Sequence, residues 1–314
     1  MERVIITGGT GFIGSWLVKE FLNNDTEVIM LVRDQSVKRT FPAHAKLRII
    51  GYDSEEYEAL KKREQKIDAF YHLAWGGVST ELKNESALQL ENISFSLRIL
   101  EYAGEIGAER FIGTGTVAEY AFCEGIMDLS ARQTPNDMYG AAKTAAHYML
   151  ETRARLLDIP FIWAVIPSTF GEGRRDNNII TYTIISLLKG EKARYGYLQQ
   201  MWDFLYVAEV VRALRLIGEK GQFFKTYGIG SGVFKPLKEY ILAIRDIINP
   251  AMELGIGDIP AYSDKAFSSC VSIYDLTKDT GFTPQITFDE GIRRTIPYYR
   301  DRIGLEEGKK HEKY

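Results

Sequence analysis

Two cysteines in 314 residues, Cys123 and Cys270, stand far apart in the chain. They offer neither a disulfide framework nor a metal-ligand spacing, so no metal site is expected. Long apolar runs are missing as well: the longest are of strand length, well below the ~20 residues a membrane helix needs. With no secretory signal read ahead of the first strand, a reducing cytoplasm is the expected location. Basic charge is not in surplus either. The 39 Lys and Arg face 42 Asp and Glu, a formal net charge of −3, which argues against a nucleic-acid partner, since such partners are held by dense basic patches. The one basic run, Lys61-Lys62-Arg63, is bracketed by Glu55, Glu56, Glu58 and Glu64 and reads as a solvated helix face. Internal repeats, low-complexity tracts and long linkers are absent.

What is present is an alternation. Short apolar, β-branched runs at Val4–Thr7, Val28–Val32, Leu47–Ile50, Ala69–Leu73, Phe111–Thr114 and Phe161–Ile166 are separated by helical patterns near Phe12–Leu22, Leu82–Ile106 and Tyr139–Leu157. Nearly continuous apolar strands are covered on both faces, as in a parallel sheet. The βαβ rhythm therefore predicts an α/β fold with a doubly wound parallel sheet. After Pro167 the rhythm breaks into shorter elements punctuated by Gly171, Gly173, Pro236, Pro250, Gly255, Gly257 and Pro260. We expect residues 1–167 to form a dinucleotide-binding domain and 168–314 a smaller α/β substrate domain. A return segment near 204–230, helix over Phe204–Ile217 and strand over Tyr227–Ile229, is expected to rejoin the first.

The first strand runs into Thr7-Gly8-Gly9-Thr10-Gly11-Phe12-Ile13-Gly14. Glycines at such a turn let the backbone approach a pyrophosphate, and the following helix offers N–H donors and the positive end of its dipole. Following a strand and opening an amphipathic helix, this has the context of a Rossmann dinucleotide fingerprint, with Gly8, Gly11, Phe12, Ile13 and Gly14 as cofactor residues. An NAD site usually carries an acid at the end of the second strand, on the ribose 2′-hydroxyl. Here Val32 takes that place and Arg33 follows, with Ser36, Lys38 and Arg39 beyond. A guanidinium suits a 2′-phosphate, so NADP(H) is expected over NAD(H). A one-residue shift would present Asp34 instead and favour NAD(H).

Tyr139 and Lys143 lie four apart, on one helix face. A free phenol, with a pKa of about 10, is a poor proton shuttle near neutrality, and a neighbouring ammonium favours its ionisation. A drop of ~3 units would take roughly 4 kcal/mol of differential stabilisation. The fifth strand, ending Thr114-Gly115-Thr116-Val117-Ala118-Glu119-Tyr120, brings hydroxyls to the same carboxyl edge of the sheet, where ligands of doubly wound folds bind.

These features together resemble the extended short-chain dehydrogenase/reductase family, the group of nucleotide-sugar epimerases, dehydratases and 4-ketoreductases. The resemblance runs over nearly the whole chain: the Gly8/Gly11/Gly14 loop, Asp53 after the third strand, His72-Leu73-Ala74 ending the fourth, Asn92, Thr116, Tyr139 with Lys143, and Asp203-Phe204-Leu205-Tyr206-Val207. It implies Thr116 as the hydroxyl that hydrogen-bonds the reacting oxygen, Tyr139 as acid/base and Lys143 as its partner. Asp53 and Ser54 would meet adenine, and Leu73 and Ala74 would line the dinucleotide, although the latter two also suit a core role. Asn92 equally suits a polar bridge within the fold.

Departures from the family pattern narrow the reaction. The acidic pair that 4,6-dehydratases carry after the threonine is Val117-Ala118 here, and Glu119 lies one residue further on. The cysteine used in GDP-fucose-type epimerisation is Ala118, with Cys123 off register. The resemblance thus implies an NADPH-dependent reductase of a 4-keto-6-deoxy nucleotide sugar. A 4-epimerase with tightly bound NAD and a non-catalytic NADP-binding regulator are the alternatives. Ser168 and Trp202 replace the family's usual asparagine and arginine near the diphosphate, and Arg174, Arg175 and Asn178 offer further polar groups. Ser168, Asn178 and Trp202 are therefore taken with Thr116 as substrate residues. A phenolic or terpenoid ketone is the other substrate class these departures leave open. A homodimer is expected through a four-helix bundle of the Leu82–Ile106 and Tyr139–Leu157 helices, with Leu90, Phe95 and Ile99 facing outward.

Overall fold

A computed structural model describes residues 1–33, 41, 43–62, 64–120, 125–260 and 270–311. Arg63, Asp34, Ser36, Lys38, Arg39 and Cys123 lie outside the described residues.

Seven strands form one parallel sheet: β1 (Arg3–Thr7), β2 (Glu27–Val32), β3 (Leu47–Gly51), β4 (Ala69–His72), β5 (Phe111–Thr116), β6 (Phe161–Ile166) and β7 (Lys225–Gly228). Their spatial order is 3-2-1-4-5-6-7, every neighbour parallel. The winding reverses between β1 and β4, and loops leaving the carboxyl ends of these two strands part there to make a crevice. The Rossmann-like α/β fold expected above is what the chain adopts.

Helices cover both faces. Helices α1 (Phe12–Asn23) and α6 (Val207–Lys220) pack on one, where Leu17, Val18, Phe21, Val210 and Leu214 meet Val4, Ile6, Val28 and Met30. On the other, α3 (Ser86–Glu105) and α4 (Met138–Leu156) set Ile93, Ile99, Leu100, Ala146 and Leu150 against Ile5, Phe70, Phe111 and Trp163. The short α2 (Glu55–Ala59) follows β3. A third apolar cluster gathers α5 (Ile179–Leu188), α7 (Leu237–Ile248) and α9 (Phe288–His311) around Phe170, Phe204, Tyr206 and Tyr240. The remaining helix, α8 (Tyr274–Thr280), lies on α6.

Two sequence expectations need correction. Phe204–Tyr206 is a strand paired in parallel with Ser168–Phe170, and helix starts only at Val207. The pairing buries Phe204, Leu205 and Tyr206 alike, which a helix face would not do. Of the three residues expected to face outward, only Leu90 does, at 64% exposure; Ile99 is core, and Phe95 packs partly buried against the same cluster. Cys270 is buried in a two-residue strand paired with Ile126–Met127. Lys61 bridges to Glu58 and Glu105 at 3.0 and 3.1 Å, as a solvated helix face would. Among the described residues no helix is long and apolar enough to cross a membrane, and no cluster of three metal-ligating side chains occurs.

Candidate active site

The glycine loop is shaped by what a Cβ would strike. At Gly14 it would lie 2.1 Å from the Gly8 carbonyl oxygen, and at Gly8, whose φ is +73°, 2.6 Å from the Ala74 amide nitrogen. Gly11 caps α1 without a side-chain hydrogen bond, so the first-turn N–H groups keep donors for an anion. Phe12 and Ile13 turn their side chains toward the third apolar cluster.

Beside this loop opens a cleft of about 400 Å³. Its walls include Gly8, Thr10, Gly11, Val32, Arg33, Tyr52, Leu73, Ala74, Trp75, Asn92 and Phe95. An uncapped helix N-terminus, a glycine cradle and an apolar slot beside them fit a dinucleotide. Arg33, exposed at the end of β2, lies on the wall at the place expected of the ribose ligand. Tyr52, rather than its neighbours Asp53 and Ser54, lines the cleft. The Ser54 hydroxyl is engaged by the Tyr57 N–H and the Gly51 carbonyl, and Asp53 takes a positive φ of 62° at the turn into α2.

The floor of the crevice is a relay of hydroxyls around His72. Ser96 Oγ donates to the Asn92 carbonyl at 2.7 Å, so it must accept from His72 Nε2 at 2.8 Å, leaving Nδ1 to accept from Thr7 Oγ1 at 2.8 Å. Burial, with Lys143 adding to it, pushes the imidazole down to about 3, which keeps it neutral and makes Nδ1 the acceptor. Asn92 brackets Gly76, donating to its carbonyl and accepting from its N–H, both at 2.9 Å. Gln89 grips the same loop by accepting from the Trp75 indole at 2.9 Å and donating to the Gly77 carbonyl at 3.0 Å. Asn92 is thus the polar bridge of the two roles open to it, and it lines the cleft as well.

Thr116 ends β5 and Tyr139 stands in the first turn of α4, near enough for the Thr116 hydroxyl to favour the Tyr139 phenolate. Asp137 fixes that turn by accepting from the Gly140 N–H at 2.8 Å. Lys143 is buried, one turn on, donating to the Thr114 carbonyl at 2.7 Å with its ammonium 3.9 Å from the Trp75 ring centroid. Trp75 therefore stands between the cleft and the pair, its ring edge-on to Tyr139 at 6.4 Å.

The electrostatics run against one expectation. Burial pushes the Tyr139 phenol up to about 12; the Thr116 hydroxyl and Arg174 oppose this, while Glu119 and Asp137 reinforce it. Burial also takes Lys143 down to about 7, Glu119 countering. The protein's own groups thus do not acidify the phenol: burial outweighs what Thr116 and Arg174 contribute, and the Lys143 ammonium directs its hydrogen bond to the Thr114 carbonyl. Ionising Tyr139 needs further positive charge.

Glu119, whose direction the sequence leaves open, turns inward and is fully buried, held up to about 7 by that burial. Val117 and Ala118 are apolar and half-buried. Of the expected substrate residues, Ser168 opens the strand paired with Phe204–Tyr206. Asn178 is the cap of α5, accepting from the Ile180 and Thr181 N–H groups. Trp202 is half-buried near Phe204, its indole N–H without a partner among the described residues. Arg174 forks onto Asp176 and donates to the Thr169 carbonyl, its guanidinium 5.8 Å from the Phe12 ring. Sequence reasoning missed Tyr52 and Trp75; the signal for both was an aromatic placed just beyond a parallel strand's carboxyl end.

The family model described as the NAD dependent epimerase/dehydratase family matches residues 4–230. The dTDP-glucose 4,6-dehydratase of Escherichia coli is 23% identical over 340 residues, covering 95% of this chain and 92% of the relative. That of Neisseria meningitidis serogroup B is 24% identical over 337 residues, with 96% and 94% covered. Among solved structures, the UDP-N-acetylglucosamine 4-epimerase of Methanobrevibacter ruminantium superposes with a TM-score of 0.83 at 22% identity, covering 96% of this chain and 99% of its own. The UDP-glucuronic acid 4-epimerase of Bacillus cereus, in complex with UDP-glucuronic acid and NAD, gives 0.82 at 19%, with 95% and 99% covered. The chain belongs to the NAD dependent epimerase/dehydratase family and is an NAD(P)-dependent enzyme of the extended short-chain dehydrogenase/reductase type.

Proposed function

We propose that the protein is an NADPH-dependent reductase that transfers hydride to C4 of a 4-keto-6-deoxy nucleotide sugar. One observation carries the reading: beyond Thr116 the chain offers Val117 and Ala118, and the next carboxylate, Glu119, is sealed inside the protein. Elimination of water needs a base and an acid beside the sugar, and this edge of the site supplies neither. What remains is a hydroxyl, a phenol and an ammonium, a set sufficient for moving a hydride and one proton. The nucleotide-sugar class itself is supported by the activities of the dehydratase and epimerase relatives.

A bound nicotinamide supplies the hydride and, in its oxidised form, the positive charge that the Tyr139 phenol lacks. Thr116 and Tyr139 are the donors for the C4 oxygen, and Tyr139 gives up the proton. Lys143, one turn beyond Tyr139, is the candidate to replenish that proton; to hold the ribose as well it would have to exchange its bond to the Thr114 carbonyl and Trp75 would have to give way. Ser168, Asn178 and the Trp202 indole N–H, which has no partner among the described residues, are the candidate contacts for the rest of the substrate. Arg33 on the cleft wall supports NADPH over NADH, because a guanidinium meets a 2′-phosphate with two charge-assisted bonds.

The test is NADPH absorbance with 4-keto-6-deoxy nucleotide sugars: substrate-dependent oxidation is expected. Tyr139→Phe should lower kcat by roughly 10²–10⁴-fold and leave NADPH affinity in place. Interconversion of 4-hydroxyl epimers with no net change in NADPH would establish an epimerase instead. Binding of NADPH without turnover of any sugar nucleotide would leave the regulator. In fluorescence titrations NADPH should bind at least about tenfold more tightly than NADH, and Arg33→Ala should erase the difference; NADH binding the more tightly would overturn the cofactor assignment.

A further inference from the structure

The proposed reaction makes no use of Glu119, yet burying a carboxylate is costly unless it is hydrogen-bonded and faces opposite charge. It lies in the 3-10 turn Val117–Tyr120 that follows β5. One carboxylate oxygen accepts from the Thr116 backbone N–H at 2.8 Å and from the Trp163 indole at 3.4 Å. The other accepts from the Gln133 amide at 2.9 Å, and the Glu119 carbonyl accepts from the Thr134 N–H at 2.9 Å. Residues 133–134 lead into Asp137 and hence into α4. A single side chain thus joins the strand end that carries Thr116 to the loop that aims Tyr139 and Lys143. The neighbouring backbone makes room for it: a Cβ on Gly115 would lie 2.4 Å from the carboxylate and 2.3 Å from the Trp163 indole nitrogen.

The charges around it are few and nameable. Lys143 interacts with Glu119 from α4, and His147, further along α4, lies 3.9 Å from its carboxylate, stacked on Trp163 and pushed down to about 4 by burial. The Tyr120 and Tyr139 phenols also feel its charge. Lys143 in turn meets the Thr114 carbonyl of β5, the Trp75 and Trp163 rings and neutral His72 of β4.

We infer that Glu119 is a positioning residue for the Thr116–Tyr139–Lys143 set, clamping the end of β5 to the approach to α4 and supplying the negative charge that Lys143 faces inside the protein. This rests on the reading of those three residues as the reacting set. Glu119→Gln keeps an acceptor for the Thr116 N–H and removes the charge. Because the Lys143 ammonium lies over Trp75, tryptophan emission titrated against pH reports its ionisation, and Lys143→Met identifies the transition by abolishing it. In Glu119→Gln the transition should move down by about one pH unit or more, since the charge that favoured the ammonium is gone. The alkaline limb of the kcat profile should move with it, while cofactor Kd stays within about twofold.

A titration and a pH profile that superimpose on wild type, in a variant of unchanged melting temperature, would overturn the inference. If Glu119→Gln does not fold, Glu119→Asp serves: the charge is kept and the reach shortened, so the titration should stay at its wild-type pH while kcat drops about tenfold. An unaltered kcat, or a displaced titration, would count against it. The emission titration needs no substrate, so it reports on Glu119 even if the sugar-nucleotide reaction proves wrong, which the Tyr139→Phe assay decides separately.

Discussion

His72 shows what one buried titratable side chain demands of its surroundings. Both ring nitrogens are engaged: the direction of the Ser96 bond puts a proton on Nε2, and burial keeps the ring neutral. Its folded pKa, about 3, lies below the ordinary value of 6.5. As pH falls below 6.5 the unfolded chain binds the proton first, so the stability is present above that pH and is lost progressively down to about pH 3. This residue alone contributes a slope of up to about 1.4 kcal/mol per pH unit. Urea unfolding at pH 6.5 and 5.5 should therefore show a steeper loss for wild type than for His72→Gln; equal losses would mean that the ring does not titrate as described. That a histidine closes the fourth strand was legible in the sequence. Its tautomer was not, because the tautomer is set by Thr7 of β1 and by Ser96 and Asn92 of α3, two elements far from it in sequence.

At the scale of elements, α3 does more than cover the sheet. Through Gln89 and Asn92 it holds the loop Trp75–Gly77, and that loop walls the cleft from one side and the Tyr139–Lys143 pair from the other. Asn92→Ala removes both hydrogen bonds to the Gly76 backbone and leaves those groups unpaired. We expect a loss of about 1–3 kcal/mol in urea unfolding together with weaker dinucleotide binding. Loss of stability with unchanged cofactor affinity would show that the loop's position does not matter to the cleft. The helices themselves follow from apolar periodicity, and α4 starts where Asp137 caps it. The strand Phe204–Tyr206 was misjudged because its apolar run also suits a helix face; its state is decided by Ser168–Phe170 lying alongside.

For the molecule as a whole, two long helices, α3 and α4, pack side by side and carry large apolar side chains at their surface: Leu90 64%, Tyr148 61%, Met149 47% and Leu156 72% exposed. The homodimer expected from the sequence would bury them in a four-helix bundle, where each fully covered side chain contributes about 1.5–3 kcal/mol. Met149→Glu combined with Leu90→Glu should then convert a dimer to monomer in sedimentation velocity. A wild-type protein that sediments as a monomer at all concentrations would end that expectation. A thermal-shift panel of UDP, dTDP, GDP and CDP addresses the substrate at the same scale. Stabilisation grows with the ratio of ligand concentration to Kd, so the nucleotide that belongs to the site should give the largest shift. The wound sheet was visible in advance because each βαβ unit is local, some thirty residues whose apolar faces match one another.

The chain's own order of residues determined the first six strands of the wound sheet, the glycine turn and the four-residue step from Tyr139 to Lys143, since backbone geometry and helical pitch impose these within a few positions. Tertiary structure alone decided that Trp75 separates the cleft from that pair, that Tyr52 replaces Asp53 on the wall, that Lys143 donates to Thr114 and that Glu119 is sealed inside. Each of these depends on which side chain fills the space beside it, and the neighbours come from strands and helices distant in sequence, so no local pattern encodes the outcome.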